Sequence, residues 1–200
     1  GRSAATRAEE PVTGSEGAWT PPPQAVVEQD GMLRVTAVEG SDAWRLTSYG
    51  FVHDTEHALL APIPDGTAME VAFDASFEAQ FDQAGLFVRV DETRWVKAGV
   101  EFSDGALQLG AVVTDGMSDW SLAPVPEWLG RRVTVRVSRD GNALTVRAGA
   151  DDEPLRLVRV IPFAADLDAA AGPFVCAPTR AGLAVPFASW RRGAADTALH

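Results

Sequence analysis

Gln83-Ala84-Gly85-Leu86-Phe87-Val88-Arg89-Val90, Trp95-Val96-Lys97-Ala98-Gly99-Val100-Glu101-Phe102 and Leu107-Gln108-Leu109-Gly110-Ala111-Val112-Val113-Thr114 follow one another in the middle of the chain. In each run apolar residues recur at every second position, the pattern of a half-buried strand. Successive side chains of a strand point to opposite faces. Ala84, Leu86, Val88 and Val90, then Val96, Ala98, Val100 and Phe102, then Leu107, Leu109, Ala111 and Val113 therefore make one apolar wall. That wall is the expected core.

The opposite face carries Gln83, Gly85, Phe87 and Arg89, then Trp95, Lys97, Gly99 and Glu101, then Gln108, Gly110, Val112 and Thr114. Asp104-Gly105 between the second and third runs is a two-residue type I′ hairpin signal. It pairs Ser103 with Ala106, and so Glu101 with Gln108, Gly99 with Gly110 and Lys97 with Val112. The hairpin before it allows a loop of either three or five residues. The shorter loop puts Gly85 beside Gly99, which lines three glycines across the sheet. A glycine inside a strand often marks close approach of a ligand or of another backbone. The row is therefore expected to floor a trough walled by Phe87, Trp95, Arg89, Lys97, Glu101 and Gln83.

Trp44-Arg45-x-Thr47-x-Tyr49-Gly50-Phe51, Asp82-Gln83-Ala84-Gly85-Leu86-x-Val88-Arg89-x-Asp91, Trp95-x-Lys97-Ala98-Gly99-x-Glu101 and Ser118-Asp119-Trp120-Ser121 resemble the regulation-of-enolase-protein family, over about residues 19 to 191. That family is a domain of unknown function placed among the concanavalin A-like lectins and glucanases. The resemblance implies a two-sheet antiparallel jelly-roll β-sandwich. It brings no catalytic residue with it, and only a loose association with the regulation of sugar metabolism.

The rest of the chain agrees with an all-β class. About a dozen short runs with Gly and Asp turns between them, and no amphipathic helix, read as a sandwich. Residues 1–18 are polar and aperiodic and read as a disordered arm. Residues 19–192 read as the sandwich domain and residues 193–200 as a tail. Pro186 in the closing strand argues for a sheet edge. Residues 49–57 hold the only tyrosine and two of the three histidines. His53 and His57 read as ordinary residues of a surface loop, since His-x3-His needs a helix to aim both rings at one metal.

Composition narrows the function classes. The net charge of −11 disfavours nucleic acid and anionic membranes, which are bound through Lys and Arg. No run approaches a membrane span, no hydrophobic leader is visible, and the lone Cys176 excludes an internal disulfide framework and reads as a small buried hydrophobe. A cytoplasmic protein is expected. Of 17 basic residues only Lys97 is a lysine, at the centre of the polar face. No phosphate loop, zinc spacing or nucleophile elbow occurs, so neither cofactor nor metal is expected. Glycosidases need two carboxyls about 5–9.5 Å apart, and no single strand supplies them, although a pair such as Glu101 and Asp119 from different strands remains open. The sequence thus reads as a non-catalytic, lectin-like module. It would bind a carbohydrate or small polar ligand on a concave sheet face, through Tyr49, Gln83, Phe87, Arg89, Trp95, Lys97, Glu101, Asp119 and Trp120. A glycan-active enzyme and a protein-interaction scaffold are the alternatives.

Overall fold

The computed structural model describes residues 9–200. In chain order the strands are β1 (Glu10–Pro11), β2 (Ala18–Trp19), β3 (Ala25–Gln29), β4 (Met32–Thr36), β5 (Ala43–Arg45), β6 (Val52–Asp54), β7 (His57–Pro62), β8 (Thr67–Asp74) and β9 (Gln83–Asp91). They continue as β10 (Arg94–Ser103), β11 (Ala106–Asp115), β12 (Met117–Pro124), β13 (Arg132–Asp140), β14 (Ala143–Ala150), β15 (Arg156–Pro162), β16 (Ala170–Cys176) and β17 (Ala184–Ala194). One antiparallel sheet runs β15-β14-β13-β8-β17-β4-β3, with β1 added beside β17. The facing sheet runs β12-β11-β10-β9-β16-β7-β2. β5 and β6 form a separate two-stranded hairpin.

The expected apolar wall is the inner face of the second sheet. Of its twelve residues, Ala84, Leu86, Val88, Val96, Ala98, Val100, Leu107, Leu109 and Ala111 belong to the main core cluster, and Val90, Phe102 and Val113 pack against it. Val71, Phe73, Val133, Val135, Val137 and Phe187 meet it from the other sheet. Fully burying a side chain of this kind is worth about 1.5–3 kcal/mol, so the alternation drives the two sheets together.

The register follows the turns. Asp104 (φ 54°) and Gly105 (φ 82°) both have positive φ, as a type I′ turn requires. Glu101 faces Gln108, and Gly99 faces both Gly110 and Gly85. A bulge between Arg94 and Trp95 shortens the preceding loop to Glu92-Thr93, and the Asp91 carboxylate accepts from Thr93 N–H at 2.9 Å.

The glycine row has a different meaning from the one expected. A Cβ on Gly85 would lie 2.0 Å from the Ala98 carbonyl oxygen, one on Gly99 2.3 Å from that of Ala84, and one on Gly110 1.9 Å from that of Ser121. The missing side chains are filled by neighbouring backbone, and the crease above Gly99 and Gly110 encloses only about 20 Å³. That volume suits about one water. The glycines let the strands pinch together; they do not floor a ligand trough.

Other expectations are corrected at the chain ends and at the histidines. Residues 1–8 of the expected arm lie outside the described residues. Residues 9–18 are folded: Pro11 pairs with Arg191 and Val12 is buried. The tail is docked too, since Asp196 receives Arg136 at 3.0 Å and Arg147 donates to the Leu199 carbonyl at 2.7 Å. β17 is central, between β8 and β4, not at an edge. Pro186 is tolerated because pairing with β8 begins only at Phe187. His57 is buried, with Nδ1–H donating to Pro21 O (2.9 Å) and Nε2 accepting from Val38 N–H (3.1 Å), the tautomer that these partners assign. Its role is structural.

Gly110→Ala is expected to destabilise the fold by at least about 1–3 kcal/mol, since an extra carbon in a filled space forces backbone shifts. Chemical denaturation measures this, and an unchanged midpoint would show that the crease can open. Gly99→Val, which would leave a true trough folded, is expected to unfold for the same reason.

Candidate functional site

Strands β9 to β12 turn their polar face away from the core, and the β5–β6 hairpin lies across it. Trp44 drives this docking. With Ala43 it joins Phe87, Trp95, Val112, Phe174 and Cys176 in a second buried cluster, apart from the main core. Arg45 N–H donates to Ser118 Oγ at 2.9 Å, and Thr47 Oγ1 donates to the Ser118 carbonyl at 2.5 Å. The loop of the hairpin turns tightly through positive φ at Leu46, Ser48 and Gly50, which leaves Tyr49 and Phe51 standing at its tip.

Asp42, just before the hairpin, supplies the partner that a buried lysine requires. Lys97, only 6 % exposed, donates to Asp42 Oδ1 at 3.0 Å and to Gln83 Oε1 at 2.9 Å. Gln83 Nε2 closes the triangle to Asp42 Oδ1 at 3.3 Å, and Ala43 N–H adds a fourth contact at 2.8 Å. All these donors fall on Oδ1, so Oδ2 is left for another partner. Burial pulls the Lys97 ammonium toward neutrality, but the acidic groups around it, Asp42 first among them, together outweigh it and hold the proton affinity above the ordinary lysine range.

Glu101 stands beside this triangle with its buried Oε1 unpartnered. Burial raises its pKa to about 7, against the pull of Lys97 and with a further push from Asp42. These groups form the base of a pocket of about 120 Å³ under the hairpin tip. Trp44, Tyr49, Phe51, Phe81 and Trp120 wall it. Trp44 meets Tyr49 and Trp120 edge to face, with centroids 5.7 and 5.8 Å apart, and Tyr49 stacks on Phe51 at 5.2 Å. Aromatic faces over fixed donors and acceptors suit a compact ligand with an apolar face and a polar rim.

The structure brings together Tyr49, Gln83, Lys97, Glu101 and Trp120 from the expected set. Phe87 and Trp95 are not in the pocket. They stack on each other at 5.3 Å beneath the hairpin, which covers them. Arg89 opens on the far side of the hairpin, into another cavity. Asp119 is not in the pocket either: it pairs with Val113 of the core-facing row and binds Arg159 at 2.8 Å across the sandwich edge. Neighbours on one strand cannot share a face, so period 2 already separated Asp119 from Trp120. Asp42, Trp44, Phe51, Phe81 and Val112 were missed. Trp44 and Phe51 lie in the first block of the family motif, which was a usable signal; Asp42 carried none.

The family described as "Protein of unknown function (DUF1349)" matches residues 19–194. The chain belongs to that family. It is 37% identical over 176 residues to regulation of enolase protein 1 of Saccharomyces cerevisiae, covering 88% of each chain. A crystal structure of a functionally unknown protein from Saccharomyces cerevisiae superposes with TM-score 0.86 at 36% identity, over 92% of this chain and 98% of that one. More remote likenesses show the fold alone. A Griffonia simplicifolia lectin (I-B4, metal-free form) gives TM-score 0.57 at 14% identity, over 90% and 93% of the chains. A Bacillus halodurans xylan β-1,4-xylosidase gives 0.65 at 18% identity, over 82% of this chain and 33% of that one. The family's architecture here is thus the concanavalin A-like jelly roll expected from the motifs.

Two substitutions test the polar base of the pocket. Lys97→Met is expected to destabilise by about 1–3 kcal/mol, below the 3–5 kcal/mol for breaking a fully buried pair because Asp42 keeps some solvent contact. Thermal unfolding of Lys97→Met with Asp42→Asn should recover most of the loss, and no recovery would deny the pairing. Glu101 has a raised folded pKa, so its stability contribution is full below about 4.5 and is lost as pH rises through about 7. Glu101→Gln should therefore stabilise the protein at pH 8 by on the order of 1–3 kcal/mol, and hardly at all at pH 4. Melting curves at the two pH values decide this, an equal effect at both sinking the assignment.

Proposed function

We propose that the protein is a binding module for a saccharide or similarly small polyhydroxylated ligand, seated in the pocket under the β5–β6 hairpin. One observation carries the reading. An ion-paired ammonium, an amide and two carboxyls with unused oxygens lie at the base of a pocket whose walls include five aromatic rings. Hydroxyls both donate and accept, so one ring can meet Lys97, Asp42 Oδ2 and Glu101 together. Its C–H face can rest on Trp120, which is 39 % exposed. A pocket of about 120 Å³ admits one compact unit, or the end residue of a longer chain. The lectin fold and the yeast relative's association with enolase regulation point to carbohydrate-related or regulatory roles, within which this reading falls.

A glycan-active enzyme on the same site has one observation in its favour. Glu101 and Asp42 line one pocket in different surroundings: burial raises the proton affinity of Glu101, while Asp42 is ion-paired to Lys97. Such a contrast can mark an acid and a base. Binding without turnover accounts for the same features with fewer demands, because Asp42 is already engaged by three donors.

Titration calorimetry against neutral mono- and disaccharides tests the proposal. Trp120→Ala and Glu101→Ala should each weaken binding about tenfold or more, which is about 1.4 kcal/mol, while far-UV circular dichroism stays unchanged. Binding that survives both substitutions would refute the pocket as the site. Release of nitrophenol from aryl glycosides, abolished by Glu101→Gln or Asp42→Asn, would replace the binding reading with the enzymatic one.

A further inference from the structure

We infer that the protein carries a second, separate site for a neutral polyhydroxylated ligand on the other side of the β5–β6 hairpin. The hairpin divides the outer face of the sheet into two openings. The second is a cavity of about 510 Å³, larger than the first. Trp19, Leu60 and Trp95 supply its apolar surface, and Glu56, Arg89 and Asp54 its polar one.

Two of these groups are unspent. Glu56 is only 5 % exposed, lines this cavity, and its Oε2 has no hydrogen-bond partner. A buried carboxyl oxygen without a partner costs about 1–3 kcal/mol or more. The Arg89 guanidinium makes no hydrogen bond or ion pair among the described residues, although Glu56, Asp54 and Glu92 border the same space. By contrast, Arg131, Arg132, Arg136, Arg159 and Arg180 are all engaged with carboxylates elsewhere.

The mixture of charges selects the ligand class. An anion reaching Arg89 would meet Glu56, Asp54 and Glu92. A cation reaching the carboxyls would meet Arg89. A hydroxyl accepts from the guanidinium and donates to a carboxyl, and adjacent hydroxyls on one ring do both at once. Trp19 and Trp95 then provide surface for the ring's C–H groups.

The six tryptophans let the two sites be read apart. Trp44 and Trp120 border the first pocket, Trp19 and Trp95 the second, and Trp128 and Trp190 are buried in the core as controls. With indole-¹⁵N-labelled protein, D-glucose or D-xylose should shift the Trp19 and Trp95 signals saturably. Arg89→Met should abolish that response and leave Trp44, Trp120 and both controls unmoved. Should Arg89→Met disturb the controls, Asp54→Asn serves in its place, with the response again expected to weaken at Trp19 and Trp95 only. A response confined to Trp44 and Trp120 overturns the second site and keeps the first. A response confined to Trp19 and Trp95 does the reverse. Stronger shifts at Trp19 and Trp95 with D-glucuronate or choline than with glucose overturn the neutral class, and no response at any indole removes both sites.

Discussion

Taking an ammonium out of water costs several kcal/mol unless a countercharge goes with it, and Lys97 stands almost wholly buried in the middle of a sheet. Asp42 meets that requirement from outside the sheet. The ion pair ties the segment leading into the β5–β6 hairpin to β10, while Trp44, a few residues on, buries its ring over Phe87, Trp95 and Val112. The hairpin then has one place to lie. Its position covers the centre of the outer face, leaves an opening on each side, and raises Tyr49 and Phe51 over one of them.

The two sheets spend their charges differently. On the eight-stranded sheet Arg136 is ringed by Glu9, Glu70 and Asp196, and on its neighbour Arg147 shares Asp196. Arg139 is buried and donates to the carbonyls of Ile63 and Leu167. These groups serve the fold, and the two unpartnered atoms on this sheet, Arg139 Nε and Trp190 Nε1, are donors buried in the protein interior. Under the hairpin, Glu101 Oε1 and Glu56 Oε2 are buried without partners, and burial raises both carboxyls to about 7. Unsatisfied buried polar atoms are uncommon in folded proteins. Finding two of them beside the same lysine, each at the base of an opening, is what separates this face from the other as a place for ligands.

The glycine row serves the same face indirectly. Gly85, Gly99 and Gly110 let neighbouring carbonyls occupy the space of their absent side chains, so the strands draw close beside Lys97 and Glu101. A larger residue at any of them would push the sheet apart at the level where Gln83 and Lys97 must touch.

Much of this protein is local and therefore legible in its sequence. Side-chain alternation has a period of two whatever the surroundings, so the apolar wall from Ala84 to Val113 can be read directly. A type I′ turn at Asp104-Gly105 allows one pairing, which determines that Gly99 faces Gly110 and Glu101 faces Gln108. The family motifs then name the sandwich. The same alternation, applied to β12, places Asp119 and Trp120 on opposite faces. What alternation cannot say is which part of an outward face another segment will cover. Phe87, Trp95, Lys97 and Trp120 all point outward, yet Phe87 ends as hidden packing, Trp95 as packing that borders the second opening, Lys97 as an ion pair and Trp120 as a wall of the first pocket. That division was decided by a hairpin that docks from 55 residues away in sequence, as the separation of Asp42 from Lys97 measures. Local backbone geometry sets which way a side chain points; only the long-range burial of Trp44 and the neutralisation of Lys97 settle what it meets there.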